Sequence, residues 1–493
     1  MSNPSRNTEK KLYKIWQEQG FDKSLTTVSG DAISVLHSGE FDANISGPDF
    51  KNAKLKIGNF TLVGDVEIES SFENWKIHGH NIDRKYSKVI LHVCLFNKKN
   101  LSYVYNKEGR KIPTLCLSDY LSPDLIEEIN DPTVEIPETD HTFKCSGLQT
   151  LLYSVEKEEI LKQLGVLRYK RKCTRFYDRL KELAYLKELN ISEPKITYDL
   201  NEEFQTRDFT SEDFRDQEIW QQLFYEMLLE ALGYSQNKNI MLKLAQSGSL
   251  DFLRKFSHEE NLELIIESTL LNIAGLMPDS GQIKDNEILR YIESVNEYWS
   301  KIGRIYDGEI FDSTEWHFFK LRPQNFPTVR ISGGARLVKS ILDEQNLISV
   351  IIKKFTEIWN PKVLINNLRS MFVIKSEGFW QHHYVFDQPA NGEINYFIGI
   401  SRADEIVINV VFPFLSVYFD VFGKSDLSKK VINVYSHFEQ KAENKIVREV
   451  AEALNITHLA KKTIFTQGMI ELFRNYCSKG KCLECEIGKK VFE

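Results

Sequence analysis

The sequence contains no long apolar run. Its longest, IVINVVFPFLSVYF (406–419), has 14 residues and includes Asn409 and Pro413. A membrane-spanning helix needs about 20, so this stretch reads as a buried core segment and no membrane partner is expected. An apolar signal core is also missing. The first residues, MSNPSRNTEKKLYKIW, are polar and then amphipathic, and a cytoplasmic location is expected. Positive charge is not in excess: 63 Lys and Arg stand against 70 Asp and Glu, a net −7. That excludes a surface coated in basic groups, but leaves room for a local basic groove. No low-complexity tract and no repeat at solenoid periods is present. Cysteine is odd in number, seven in 493 residues, which argues against a disulfide framework and for a reducing compartment.

What remains is an ordinary globular composition, 42% hydrophobic and 27% charged, long enough for two to four domains. Residues 8–20 repeat apolar groups at helical spacing, with Leu12, Ile15 and Trp16 on one face. Strand-like pieces follow: AISVLHS, FKNAKLKIG, FTLVGDVEIES, KVILHVCLF, LSYVYN and IPTLCLS. Gly58-Asn59 separates two alternating runs and predicts a β-hairpin. SFENWKIHGHNIDRKYS (71–87) reads as a helical or irregular crossover to the next strand. Helix, strands, crossover and strand together predict an α/β (α+β) domain over 1–140, closed by the acidic, Pro-bearing linker 131–140. From 141 to 493 the texture is mainly α-helical, with 3.6-residue periodicity in segment after segment.

The chemistry concentrates in the hairpin. Asp49 follows a Gly-Pro turn, and Asp65, Glu67 and Glu69 alternate on the second strand. Residues i and i+2 of a strand share a face, so these three acids point one way. The hairpin can bring Asp49 beside Glu67 across the ladder. Carboxylates converging in a buried place repel unless a cation holds them, and an oxygen-rich set suits Mg²⁺ or Mn²⁺. The ordinary alternative is a solvated antiparallel edge. His78, His80 and Asp83 follow the acidic strand. His-x-His can bind zinc with Asp83 completing the set, can contact phosphate, or can simply hydrogen-bond the crossover. His92, inside the apolar VILHV, reads as a core histidine.

Pro48-Asp49 followed by Glu67-Ile68-Glu69 resembles the PD-(D/E)XK nuclease superfamily, in which PD opens one strand and (D/E)-X-K sits on the next. The resemblance implies a restriction-endonuclease-like α/β core, DNA as substrate, and Asp49, Glu67 and Asp65 as metal ligands. Glu69 stands where lysine is usual, and a lysine from elsewhere, such as Lys54 or Lys56, or a second metal can substitute for it. Glu40 matches an extra upstream acid that many members carry. His78 or His80 would contact phosphate. Two other readings stay open: a non-catalytic nucleic-acid-binding or scaffold protein that retains the fold, and a zinc-dependent hydrolase using His78, His80 and Asp83.

Three cysteines crowd the C-terminus as Cys477-x4-Cys482-x2-Cys485. Cys-x2-Cys is a common chelating unit. Cys145 is the first candidate for a fourth ligand and Cys173 the second, and an all-cysteine set suits zinc or [4Fe–4S]. The layout resembles iron-staple nucleases, in which a cluster pins the domain. The most basic stretch, RYKRKCTRFYDRLK (168–181), places Arg168, Lys170, Arg171, Lys172 and Arg175 among aromatics. It reads as a nucleic-acid-binding helix face or as a solvated one. Arg322 and Arg330 in LRPQNFPTVR are candidate phosphate clamps on a Pro-bounded loop, or part of a packed turn. Nearly the whole chain resembles the bacterial domain of unknown function family DUF2851. The features that carry it are SGEFDANISGPDFKNAKLKIGNFTLVGDVEIE, WKIHGHNIDRKYSKVILHV, LRPQNFPTVR, IVINVVFPFL and NYCSKGKCLECEIG. That family commonly has histidine at the position of Glu69, and the resemblance implies no activity.

Overall fold

The computed structural model describes residues 4–19, 21, 24–41, 47–122, 125–126, 129, 143, 145, 154–189, 202–234, 236–278, 283, 285–318, 321–343, 346–386, 388–390, 392–440 and 444–492. The linker expected at 131–140 lies outside them. Contacts divide the chain into two units. The first is Met1–Asp140 with Asp312–Phe326, and the second is His141–Phe311 with Pro327–Glu493.

The first unit is a mixed sheet with the amphipathic helix α1 (Pro4–Glu18) against it. Strands β1 (Ile33–His37), β3 (Phe50–Ile57), β4 (Phe60–Ser71), β5 (Val89–Phe96), β7 (Lys111–Cys116) and β6 (Tyr103–Tyr105) lie in the order β1-β3-β4-β5-β7-β6. The two-residue β2 (Glu40–Phe41) also pairs with β3. The hairpin turns where the sequence predicts: Ile57 pairs with Phe60, and Gly58 takes φ +58° between them. A first turn residue with positive φ is what two-residue hairpins with glycine leading require. Towards the turn β4 is exposed, as at Phe60 and Val63; from Gly64 to Glu69 it is buried.

The β3–β4 pairing is antiparallel, whereas β4–β5 and β5–β7 are parallel. A parallel pair needs a crossover. Here it is short, carrying the single-turn helix α2 (Asn74–Ile77) and a 3₁₀ turn at Arg84–Tyr86. Parallel sheets bury both faces, and two apolar clusters do so here. Val66, Ile68, Leu91 and Val93 pack with Leu12 and Trp16 of α1 on one side. Cys94, Val104, Ile112 and Cys116 pack with Phe72, Trp75 and Tyr86 of the crossover on the other. Glu67 and Glu69, out of phase with Val66 and Ile68, face the crossover. The Asp312–Phe326 segment joins this unit through Lys85 Nζ to His317 Nδ1 (3.1 Å) and Arg84 to Asp312 (3.4 Å).

The second unit is mostly helical, with its longest helix at Ser154–Glu188 and others at Gln217–Leu232, Leu262–Ile273, Asn286–Ile302 and Pro327–Leu342. The apolar run 406–419 is a core segment as expected, buried almost throughout. A π-helical turn at Val407–Val411 precedes Pro413, which has no amide hydrogen to give the ladder. Among the described residues no helix is long and apolar enough to cross a membrane.

Gly64 tests this packing. A Cβ there would stand 2.5 Å from both the Lys88 carbonyl oxygen and Ile90 Cγ2. Gly64→Ala is therefore expected to cost about 1–3 kcal/mol, read as a lower urea midpoint of the full chain. An unchanged midpoint would contradict the β4–β5 approach.

Candidate functional site

Where the hairpin passes from its exposed tip to the buried sheet, Asp49 and Glu67 meet. The Asp49 amide donates to Glu67 Oε2 (3.0 Å), and the Ile68 amide donates to Asp49 Oδ2 (2.9 Å). Each acid is thus fixed by the other strand's backbone or side chain. Two residues on, Glu69 lies on the same face. The crossover supplies the nitrogen groups. Gly79, at φ +78°, lets the chain turn tightly between His78 and His80 so that both imidazoles reach Glu69. His78 Nδ1 lies 3.1 Å from Glu69 Oε1, and His80 Nε2 lies 2.7 Å from the same oxygen and 3.0 Å from Glu67 Oε1. His80 is held between the rings of Tyr86 (4.0 Å) and Trp75 (5.4 Å), and Trp75 is anchored by its indole NH to the Tyr105 carbonyl.

Burial drives the electrostatics. It pushes Asp49 up, and the neighbouring charge of Glu67 pushes it further. Burial raises Glu67 as well, only partly offset by His80. Burial also acts upward on Glu69, but the charge of His78 and the hydrogen bonds from both histidines outweigh it and hold this carboxyl down at about 2. Burial acts downward on His80, yet Glu67 and then Glu69 carry it up to about 10. His80 is therefore an imidazolium serving two buried carboxylates. His92, paired in register with Glu67, is pushed down by burial to about 4 and stays neutral. The Tyr13 hydroxyl on α1 hydrogen-bonds Asp49, and burial then Asp49 raise its pKa.

Glu69, His78 and His80 each offer a ligand atom within 4.8 Å of the others, the one such triad among the described residues. Glu69 Oε2 and His92 Nε2 are buried without a hydrogen-bond partner there. An orphaned carboxylate oxygen such as Glu69 Oε2 suits a cation or an ordered water. Carboxylate and imidazole donors together suit Mn²⁺, Fe²⁺ or Zn²⁺ better than Mg²⁺.

The structure brings together Asp49, Glu67, Glu69, His78 and His80. It separates the others. Asp65 is diverted by a bulge: the register shifts between Phe50 and Ala53, Asn52 takes φ 55°, and its amide donates to Asp65 Oδ1 (3.1 Å). Glu40 is exposed on β2. Asp83 does not complete the histidine pair but caps the 3₁₀ turn through the Lys85 amide (2.9 Å). Lys54 and Lys56 are exposed and pair with Val63 and Thr61, towards the hairpin tip and away from Asp49. Sequence reasoning missed Tyr13, Trp75 and Tyr86, because nothing in an aromatic residue's local sequence tells which ionisable group it will meet.

In the second unit the basic stretch is largely occupied. Arg168 and Arg171 pair with Glu471, Arg175 with Glu230, and Lys172 with Asn409 and Gln467. Burial lowers Lys172 to about 7. Lys170 is exposed. A cavity of about 430 Å³ beside this helix is lined by Arg171, Arg175 and Arg179, but also by Asp178, Glu182 and Glu226; its mixed charge is not that of a phosphate track. Arg330 is not on a loop. It lies in the Pro327–Leu342 helix, buried, and donates to the Phe397 carbonyl and the Tyr234 hydroxyl; Arg322 is exposed.

The profile of the protein family of unknown function DUF2851 matches residues 9–189 and 205–445, and the chain belongs to that family. No curated protein and no solved structure matches it.

The central ion bridge has a measurable signature. His80→Ala strands two buried carboxylates and is expected to cost about 3–5 kcal/mol in the metal-free protein. Adding Glu67→Gln should restore part of the loss in a double-mutant cycle of full-chain denaturation; strictly additive losses would refute the bridge. The pH dependence follows from the shifts. His80 is raised from 6.5 to about 10, so its contribution is complete below 6.5 and lost as pH rises through 10. Glu69 is lowered from 4.5 to about 2, so its contribution is complete above 4.5 and lost as pH falls through 2.

Proposed function

We propose that the chain is a metal-dependent phosphodiesterase of the PD-(D/E)XK type acting on DNA. The observation that carries this reading is the cross-bonded pair of Asp49 and Glu67, one acid from each strand of the hairpin, buried beside Glu69. The succession of α1, β1, β3, β4, crossover and β5 supports it as well. Asp49, Glu67 and Glu69 would hold a divalent cation of the Mn²⁺ type. Bound there, such a cation would polarise a phosphoryl oxygen and lower the pKa of an attacking water.

The protein groups divide the remaining work. Glu69 and His80 fix each other's position, and the backbone amides fix Asp49 and Glu67. His78 is the accessible member: its side chain is 29% exposed, against 1% for His80. It can meet an incoming phosphate and hand a proton to the leaving oxygen, the part a lysine at position 69 would share. A zinc-dependent hydrolase is a second reading, favoured by the mutual closeness of Glu69, His78 and His80.

The deciding experiment is cleavage of plasmid and oligonucleotide DNA with Mg²⁺, Mn²⁺ or Zn²⁺ added singly. Asp49→Ala and Glu67→Ala are expected to lower cleavage by at least about 100-fold, with circular dichroism reporting the fold. Robust cleavage surviving both changes would sink the nuclease assignment. Ester hydrolysis supported by Zn²⁺ and lost in His78→Ala, without DNA cleavage, would select the second reading. No hydrolysis with any metal would leave a non-catalytic protein.

A further inference from the structure

The second unit carries another cluster of ligating side chains, remote in sequence from the carboxylates. Cys477 opens a 3₁₀ turn, Cys477–Lys479, directly after the helix Thr463–Asn475. Gly480, at φ +66°, reverses the chain. Cys482 opens a second 3₁₀ turn, and Cys485 precedes the last helix, Glu486–Phe492. The Cys485 amide donates to the Cys482 carbonyl (3.1 Å), and the Gly480 amide to the Cys477 carbonyl (3.1 Å). Three thiols are thus presented from two tight turns, the local form that chelating cysteines take.

The fourth thiol comes from far away in sequence. Cys485 is buried in a core cluster with Leu161, Ile487 and Val491, and Cys145 and Cys477 pack against that same cluster. The last helix is seated closely: a Cβ at Gly488 would lie 2.0 Å from the Cys482 carbonyl oxygen, and Lys490 pairs with Glu156 (2.6 Å). All four cysteines are free thiols. The charges of Cys485, Cys145 and Cys482 all reach the Cys477 sulfur, and those of Cys485 and Cys482 reach Cys145, so the four side chains are near neighbours.

We propose that Cys145, Cys477, Cys482 and Cys485 hold a soft-metal centre through four thiolates, as a single zinc ion or as an iron–sulfur cluster. Each thiol gives up its proton to solvent as its sulfur binds, and no electron is exchanged. No three of the sulfurs lie within 4.8 Å of one another. Thiolates on one tetrahedral zinc stand about 3.8 Å apart, whereas those of a cluster sit on separate irons and spread wider. Either form ties the C-terminal turns to the approach of the Ser154–Glu188 helix and closes a loop from 145 to 477, where a metal clip stabilises most.

The test is metal and sulfide content of the full chain purified without oxygen. About four irons with matching acid-labile sulfide and absorbance in the visible, or about one zinc, supports the proposal and separates the two forms. Cys477→Ser with Cys482→Ser should lower the content at least tenfold, while Cys173→Ser leaves it unchanged. Should the double variant fail to fold, a mercurial titration of the wild type gives the same readout, because four thiols react as metal leaves. Metal-free protein whose four thiols react at once, or metal retained in the double variant, overturns the proposal.

Discussion

Two carboxylates and one imidazolium, sealed from water, set the terms for the first unit. Glu67 and Glu69 are each about 1% exposed, and His80 is fully buried between them. Taking ions out of water costs several kcal/mol apiece, and mutual attraction offsets this only with close geometry and satisfied partners. The bridge has the geometry, with contacts of 2.7 and 3.0 Å from one nitrogen. It is not fully satisfied, since Glu69 Oε2 has no hydrogen-bond partner among the described residues. A fold seeking stability alone would do as well with apolar groups of equal volume. Retaining the charges therefore needs a reason other than stability, and cation binding is one.

The constraint runs outward from that bridge. His80 reaches both carboxylates because the crossover is short and because Gly79 permits the turn at φ +78°. Trp75 and Tyr86 then enclose the imidazole on the face where Cys94 and Cys116 continue the apolar surface. On the other face α1 contributes Leu12 and Trp16 to the core and Tyr13 to Asp49. The helix, the hairpin and the crossover are thus coupled through one group of ionisable side chains.

Most of this was legible because it is local. The Gly58-Asn59 turn sets the β3–β4 register as far as Ala53 and Gly64, and the bulge between Phe50 and Ala53 then steps it by one, so that Phe50 meets Val66 and Asp49 comes beside Glu67. His-x-His after an acidic strand was legible as a nitrogen source for the same reason. What escaped depends on long-range choices. Strict alternation puts Asp65 with Glu67 and Glu69, but the bulge at Asn52 takes its carboxylate for a backbone amide. The basic residues of 168–181 resemble a groove in isolation, yet their partners Glu230 and Glu471 lie on other helices. Periodicity cannot announce which acid a distant helix will offer. Likewise nothing in the texture of Asp312–Phe326 marks it as belonging with the sheet.

Position 69 is where these lines meet. A lysine there would bring its own positive charge to the carboxylates and to a phosphate. Glutamate instead adds a third negative charge, and the chain answers from the crossover with His78 and His80. The positive charge then sits not on a flexible stem of the strand but on two imidazoles of the crossover, whose charge depends on pH. A lysine ammonium keeps its proton when a cation arrives, whereas His80 must lose its proton to offer Nε2 as a ligand. On the proposed function, a cation and the His80 proton would compete for the same charges on Glu67 and Glu69. On that proposal occupancy would depend on pH, because the group that neutralises Glu67 and Glu69 without a cation is an imidazolium able to give up its proton.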